Sequence, residues 1–293
     1  MSLPFSIPRI WTLAAATVTQ LLRMKIMAFL LVFCVIVVAA GFAFPVMNPE
    51  QQLKLLKDVS FGALQLFSMV IAICATALLL PRDLEDRTLY TILSKPVPRF
   101  EYLLGKLFGV LILIGAGLVL MDIAFSIVLW LRESLVLAQS VAALQQEGTA
   151  TPEAISQIKE IVGKQGLTWN LHLGVVAIFL KATVITALTL MISCFASSTL
   201  FTIVISFLIT IAGHGQGLIR EYFLSGQGGL FKKLFSALLA IVTPDMGVFD
   251  IVDNVINGEL VTLPSFGLMA GIATAYVVGY SVVSHLLFVE KEL

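Results

Sequence analysis

The ionisable side chains that could do chemistry are gathered between residues 80 and 109, where the sequence reads LPRDLEDRTLYTILSKPVPRFEYLLGKLFG. Asp83 can cap a helix whose first turn holds Glu85 and Asp86, since negative charge stabilises the positive N-terminal end of a helix. This pattern offers an electrostatic interaction, because it places negative charge at the N-terminal end of a short helix.

An apolar stripe follows the acidic residues. Leu89, Ile92 and Leu93 recur at i, i+3 and i+4, which places them on one face of the same helix. Pro96 disfavours helical backbone at the residue before it, so the helix should end near Ser94. We therefore predict a short amphipathic helix of about three turns between two membrane spans, an element that can transmit a push.

Two more charges, Asp122 and Lys181, stand inside long apolar runs. Counted from the run ends at Leu131 and Leu171, both lie roughly 14 Å below the same membrane surface at ~1.5 Å per residue. An unpaired charge at that depth costs about 2.5–3.5 kcal/mol, so we expect Asp122 and Lys181 to pair. The alternatives are snorkelling for Lys181 and protonation or a wet cavity for Asp122.

No catalytic, nucleotide or metal site is predicted. The three histidines are scattered over different elements, and each of the three cysteines stands alone within an apolar run. The phosphate-binding pattern of Gly, four spacers and Gly-Lys-Ser/Thr does not occur, nor do the His-Glu-x-x-His and Gly-x-Ser-x-Gly motifs. We expect a non-catalytic chain that binds no cofactor itself.

The composition is that of a membrane protein. Hydrophobic residues make up 59% of the 293 and charged residues 12%, with a mean hydropathy of +1.01. Soluble chains have about 45–50% apolar and about 25% charged residues. The formal net charge of zero excludes a global basic field for nucleic acid.

Apolar windows of about 20 residues, the length that crosses the hydrocarbon, predict an all-α polytopic membrane protein with a single six-helix transmembrane domain over 1–293. The spans are predicted at 26–44, 59–80, 107–131, 171–195, 199–218 and 266–288.

The segments between the spans have distinct patterns. Residues 1–25 predict a cytoplasmic interfacial helix with Trp11 as anchor. The outer loop, 132–170, predicts a continued helix followed by a short helix opened by Thr151 and Pro152. Residues 219–265 predict an outer or re-entrant segment.

The distribution of Lys and Arg predicts the orientation. Five of them fall between Arg82 and Lys106, and such residues are retained on the cytoplasmic side. With an even number of spans, both termini should then be cytoplasmic. Trp130 and Trp169 mark one common outer interface.

The loop after the second span resembles the permease subunits of type-2 ABC exporters. Members show an acidic pair, Gly-Thr, a leucine-rich turn, Lys-Pro-Val-Ser-Arg, Glu-Tyr and Gly-Lys. Arg87 here replaces the Gly and Pro98 the Ser, and residues 243–259 are similar to the segment before the last span of these permeases. The matching residues are Glu85, Asp86, Thr88, Leu89, Ile92, Leu93, Ser94, Lys95, Pro96, Val97, Arg99, Glu101, Tyr102, Gly105 and Lys106.

This resemblance implies a coupling helix, 83–94, that docks on a separately encoded cytoplasmic ATPase. An ordinary connecting loop that only fixes topology is the alternative. The residues that the resemblance assigns to this contact are Asp83, Glu85, Asp86, Thr88, Leu89, Ile92, Leu93, Lys95, Pro96 and Arg99.

The resemblance also implies an assembly in a bacterial inner (plasma) membrane. Two permeases, either two copies or one copy with a related chain, would work with two ATPase copies that use ATP and Mg. A secondary transporter, or an assembly scaffold without an ATPase, is the alternative function. The former should show inverted repeats, which the sequence lacks.

Overall fold

The computed structural model describes residues 6–23, 27–42, 49–85, 97–196, 198–217, 221 and 243–290. All regular secondary structure in these ranges is helical. A short 3₁₀ turn covers Met246–Phe249. The helices are α1 Ile7–Leu22, α2 Met27–Phe42, α3 Pro49–Glu85, α4 Arg99–Gln146, α5 Pro152–Gln165, α6 Trp169–Phe195, α7 Thr199–His214, α8 Val252–Ile256 and α9 Leu263–Glu290.

Several helix starts follow from local sequence. The Thr151 hydroxyl accepts a hydrogen bond from the Ala154 amide at 3.2 Å, and Pro152 occupies the first turn, as the sequence predicts for α5. The Ser198 hydroxyl caps α7 in the same way, through the Phe201 amide. These caps satisfy amides that have no partner within their own helix.

Four helices of the described ranges, α3, α4, α6 and α9, are long and apolar enough to cross a bilayer. α2 and α7 have 16 residues each, which gives about 24 Å against a hydrocarbon thickness of about 30 Å. The chain is therefore a multi-pass membrane protein, while the count of six spans stays a prediction.

α6 is the central helix of the bundle. It packs against α3, α4, α7 and α9, and most of its side chains are buried. α4 and α9 by contrast keep broad apolar faces exposed, and Trp130 and Trp169 are 61% and 78% exposed. Such surfaces suit lipid or another membrane-embedded chain.

The end of α3 corrects one prediction. Asp83 does not open a new helix, because α3 continues through Pro81 and ends at Glu85. Asp83 is 3% exposed in the last turn of α3, where side chains of other helices satisfy its carboxylate. The rest of the predicted coupling helix, from residue 86 on, lies outside the described residues, as do 219–220 and 222–242 of the predicted re-entrant segment.

α1 packs along the first turns of α4. Its buried stripe is predominantly apolar and is directed at α4, while Trp11 on the other side is 66% exposed. A Cβ atom on Gly105 would lie 2.5 Å from the Leu13 Cβ, and one on Gly109 would lie 2.9 Å from the Ala14 carbonyl oxygen. The two glycines, one helical turn apart, thus permit the close approach of α1. The stripe consists of Ile10, Ala14, Thr17 and Leu21.

Replacing Gly109 by Ala should displace α1. The added methyl overlaps the backbone of α1, and overpacking of this kind costs about 1–3 kcal/mol. We expect a lower thermal midpoint in detergent and faster proteolysis of α1. Gly163→Ala in α5, where a Cβ meets no atom within 4 Å, is the matched control and should be neutral or stabilising. An unchanged midpoint for Gly109→Ala would contradict this packing.

Candidate functional site

A buried polar cluster joins the end of α3 to α4 and α1. The Lys106 Nζ atom lies 2.6 Å from the Asp83 Oδ2 atom, and the Tyr102 hydroxyl donates to the same oxygen at 2.5 Å. Gln20 of α1 donates to the Asp83 Oδ1 atom at 3.2 Å and accepts from the Lys106 ammonium at 3.1 Å. We call these four residues the anchor cluster.

Three of the four residues of the anchor cluster are almost completely removed from solvent, and Gln20 is half-buried. Asp83 is 3% exposed, Tyr102 0% and Lys106 5%. The Lys106 ammonium also lies 5.6 Å from the centre of the Tyr102 ring, a cation–π distance. Because both charges are desolvated, loss of one partner leaves the other uncompensated, which costs about 3–5 kcal/mol.

A second ionic contact ties α1 to the first turn of α4. The guanidinium of Arg9 binds Glu101 with two hydrogen bonds, Nε to Oε2 at 2.7 Å and Nη2 to Oε1 at 2.9 Å. The Ser6 amide also donates to Glu101, at 2.9 Å. The hydrogen bond to Glu101 raises the pKa of Arg9 above its usual value. This bidentate geometry fixes orientation as well as distance.

A third contact brings in the end of α9. The Arg99 Nη1 atom donates to the carbonyl oxygens of Phe288 and Val289 at 3.1 and 2.8 Å. These carbonyls belong to the last turn of α9, where a cation is favoured. The Phe288 ring stacks on Tyr102 with centroids 5.9 Å apart, which connects α9 to the anchor cluster.

The three contacts bracket the residues predicted for partner binding. Asp83 lies on one side of the segment and Arg99 on the other, and both are held in tertiary contacts. Glu85 ends α3, and its side chain is outside the described part. The other predicted contact residues are also outside it, so their role stays a prediction: Asp86, Thr88, Leu89, Ile92, Leu93, Lys95 and Pro96.

Sequence reasoning did not find the partners on α1. Arg9 and Gln20 are 11 residues apart, about three helical turns, and so lie on one face of α1. This spacing was the sequence signal that could have placed both residues on the face of α1 that contacts its neighbours. The sequence identified three further residues, Glu101, Tyr102 and Lys106, only as part of the family motif. In the structure each of them makes a side-chain contact with another helix.

The predicted Asp122–Lys181 pair is wrong. The Asp122 Oδ2 atom instead lies 2.7 Å from the Nδ1 atom of His172, whose ring contacts Trp169 edge to face. His172 and Lys181 are nine residues apart on α6, about two and a half turns, so they point to opposite sides. Equal depth in the membrane therefore did not bring Lys181 to Asp122.

Lys181 itself is buried without a hydrogen-bond partner. It is 4% exposed, and its Nζ atom contacts no acceptor in the part of the chain that the structure describes.

A double-mutant cycle tests the anchor cluster. Asp83→Asn leaves the Lys106 ammonium buried without a counter-charge and should lower the free energy of unfolding in detergent by about 3–5 kcal/mol. Lys106→Met combined with Asp83→Asn should recover part of that loss. Strictly additive effects would show that the two side chains do not interact.

A second cycle separates the two intramembrane charges. Asp122→Asn and His172→Gln should each destabilise the protein, and the double variant should lose less than the sum of both. Lys181→Met should combine additively with Asp122→Asn and should not destabilise, since no hydrogen bond is lost. Non-additivity between positions 122 and 181 would restore the rejected pair. Thermal unfolding in detergent measures each effect.

The sequence matches a known protein family. A family model described as ABC-2 family transporter protein matches residues 46–219, which include α3 to α7 and the segment between Asp83 and Arg99. No curated protein matches the chain.

Proposed function

The chain belongs to the ABC-2 family transporter proteins, since the matched residues 46–219 are more than half of its length, and we propose that it is the permease subunit of an ATP-driven exporter. Membership of this family and the four long apolar helices of the described ranges make it a multi-pass membrane component of an ABC transporter. The proposal adds the direction of transport, the partner ATPase and the route by which force enters.

In this proposal, the segment from Asp83 to residue 94 docks on a separately encoded ATPase through the residues that follow Asp83, while the buried Asp83 carboxylate stays in the anchor cluster. The sequence supports the separate ATPase, since it holds no phosphate-binding glycine motif. ATP and Mg then belong to the partner, and this chain contributes no catalytic group. The acidic residues and the apolar stripe supply the charge and the apolar surface that a protein groove would contact.

The anchor cluster is the observation that carries the coupling step. A force that the proposed ATPase applies to the segment after Glu85 acts on α3 through Asp83 and on α4 through Arg99. Because Lys106 and Tyr102 bind Asp83, the two helices respond together, and Gln20 adds α1. Such a rigid junction passes motion into the spans instead of losing it in a flexible loop.

The same proposal includes the assembly and its orientation. Two permeases enclose the path, with both termini cytoplasmic, six spans each and two ATPases at the inner face of a bacterial inner membrane. The exposed apolar faces of α4 and α9 support a membrane-embedded contact, and the five basic residues between Arg82 and Lys106 support the orientation.

Affinity purification of the tagged protein from its native membrane in mild detergent tests this proposal. We expect an ATP-binding protein to accompany the native chain and to be lost with the double variant Leu89→Glu, Leu93→Glu, because two carboxylates replace the apolar stripe. The matched control, Leu135→Glu with Leu167→Glu, alters two exposed leucines elsewhere and should retain the ATPase.

The outcomes separate the candidate functions. Loss of the ATPase from the loop variant alone supports docking at residues 83–94. An ATPase retained equally by both variants rejects that docking site. No ATPase with the native chain contradicts the exporter and favours a secondary transporter or an assembly scaffold.

A further inference from the structure

Two leucines where α8 leads into α9 are the most exposed large apolar side chains of the described ranges. Leu260, in the loop between the two helices, is 85% exposed, and Leu263, the first residue of α9, is 84% exposed. Trp169, the first residue of α6, follows at 78%. Leaving a leucine in water instead of burying it forgoes about 1.5–3 kcal/mol. Single exposed leucines are common, whereas a group of large apolar side chains at one place marks a contact surface.

Asn170 brings the loop to Trp169. It follows Trp169 in the first turn of α6, and its side-chain amide donates to the Glu259 carbonyl oxygen. Its side-chain oxygen accepts from the Val261 amide at 3.3 Å. Because residues 259 and 261 are both tied to Asn170, Leu260 is held between these two contacts, beside the start of α6.

A second contact fixes the loop on its other side. Lys57 of α3 is 2% exposed, and its ammonium donates to the Ile256 carbonyl oxygen at 2.9 Å. Gly258 then turns the chain with a φ of +83°, a conformation that glycine adopts without strain. The loop is thus held before and after this turn, and the exposure of Leu260 belongs to a defined backbone geometry.

The lengths of α6 and α9 place the loop at a membrane boundary. α6 has 27 residues and α9 has 28, which gives about 40 Å for each helix. A bilayer with its headgroup regions is about 40–45 Å thick, so the ends of both helices lie among the headgroups. Trp is enriched at that depth because its ring is apolar and its N–H is polar, and Trp169 fits this pattern.

The exposed side chains of this segment change from polar to apolar at Leu260. Asn257 and Glu259 before it are exposed and polar, whereas Leu263 and Leu268 after it are 84% and 68% exposed. Leu263 and Leu268 belong to α9, and only 22% of the most apolar stretch of this helix is buried within the structure. The apolar surface that α9 exposes therefore continues into the loop, and lipid is the surrounding that both share.

We propose that Leu260 and Leu263 insert, beside Trp169, into the lipid leaflet at this boundary and anchor the loop there. The partner is the zone between headgroups and acyl chains, which accepts leucine side chains and the indole ring alike. This contact sets the depth of α8 and of the start of α9, since Lys57 and Asn170 join the same segment to α3 and α6. The inference requires that the chain spans a bilayer but requires no ATPase, so it is tested separately from the proposed coupling function.

Fluorescence quenching of a single tryptophan reporter tests this contact. Trp11, Trp130 and Trp169 are replaced by Phe and Leu260→Trp is added, in the full-length protein in phosphatidylcholine nanodiscs. Phosphatidylcholine with bromine near the carbonyl ends of its acyl chains quenches a reporter that contacts lipid, whereas iodide quenches a reporter in water. We expect the brominated lipid to remove most of the emission and iodide to remove little of it.

Gln145→Trp, in the same background without native tryptophans, is the matched control. Gln145 is exposed and lies 15 residues beyond Trp130 on α4, about 22 Å along the helix. Iodide should therefore quench this reporter, and the brominated lipid should not.

The two quenchers separate the possible surroundings of the loop. Stronger quenching of the Leu260→Trp reporter by iodide than by the brominated lipid would show that the loop faces water. Protection from both quenchers would show that a second copy or another protein covers it, and either result overturns the proposal. Native Trp169, kept alone through Trp11→Phe and Trp130→Phe, should show the lipid pattern too, and it decides the matter if the Leu260→Trp protein does not fold.

Discussion

The buried ion pair between Asp83 and Lys106 holds the last turn of α3 against the first turns of α4. A charge pair so far from solvent persists only where further hydrogen bonds complete it, and Tyr102 and Gln20 supply them. Two further contacts of the described residues lie beside that pair. The Arg9–Glu101 and Arg99–α9 contacts bring α1 and α9 to the same place.

This arrangement explains why α1 packs closely against α4. A helix that only lay on the membrane surface would need neither Gly105 nor Gly109 on its neighbour, because nothing would approach so closely. In the structure those glycines admit α1, and Gln20 then reaches Asp83. In the proposed coupling step, motion delivered between Asp83 and Arg99 would carry α1, α3 and α4 together.

Sequence reasoning succeeded where a local rule or a long pattern decides the outcome. The Thr151 cap opens α5, and the apolar run at 171–195 corresponds to α6 at Trp169–Phe195. It failed where a tertiary partner overrides the local rule. Asp83 has the sequence of a helix cap, yet Lys106 and Tyr102 hold it inside α3.

The predicted pairing of Asp122 with Lys181 failed for a related reason. Counting residues gives the depth of Asp122 and Lys181 but not the direction in which each side chain points around its helix. His172 lies half a turn away from Lys181 around α6, and His172 is the residue that contacts Asp122.

The rigid junction of α1 and α4 is tested most directly by the distance between spin labels at Thr12 and Phe108, two exposed positions on these helices. The native cysteines are first replaced by serine, and pulsed electron resonance is recorded on the complex with the proposed ATPase, with and without ATP. We expect one narrow distance distribution that ATP does not move and that broadens with Lys106→Met. A native distance that shifts on addition of ATP would contradict the account.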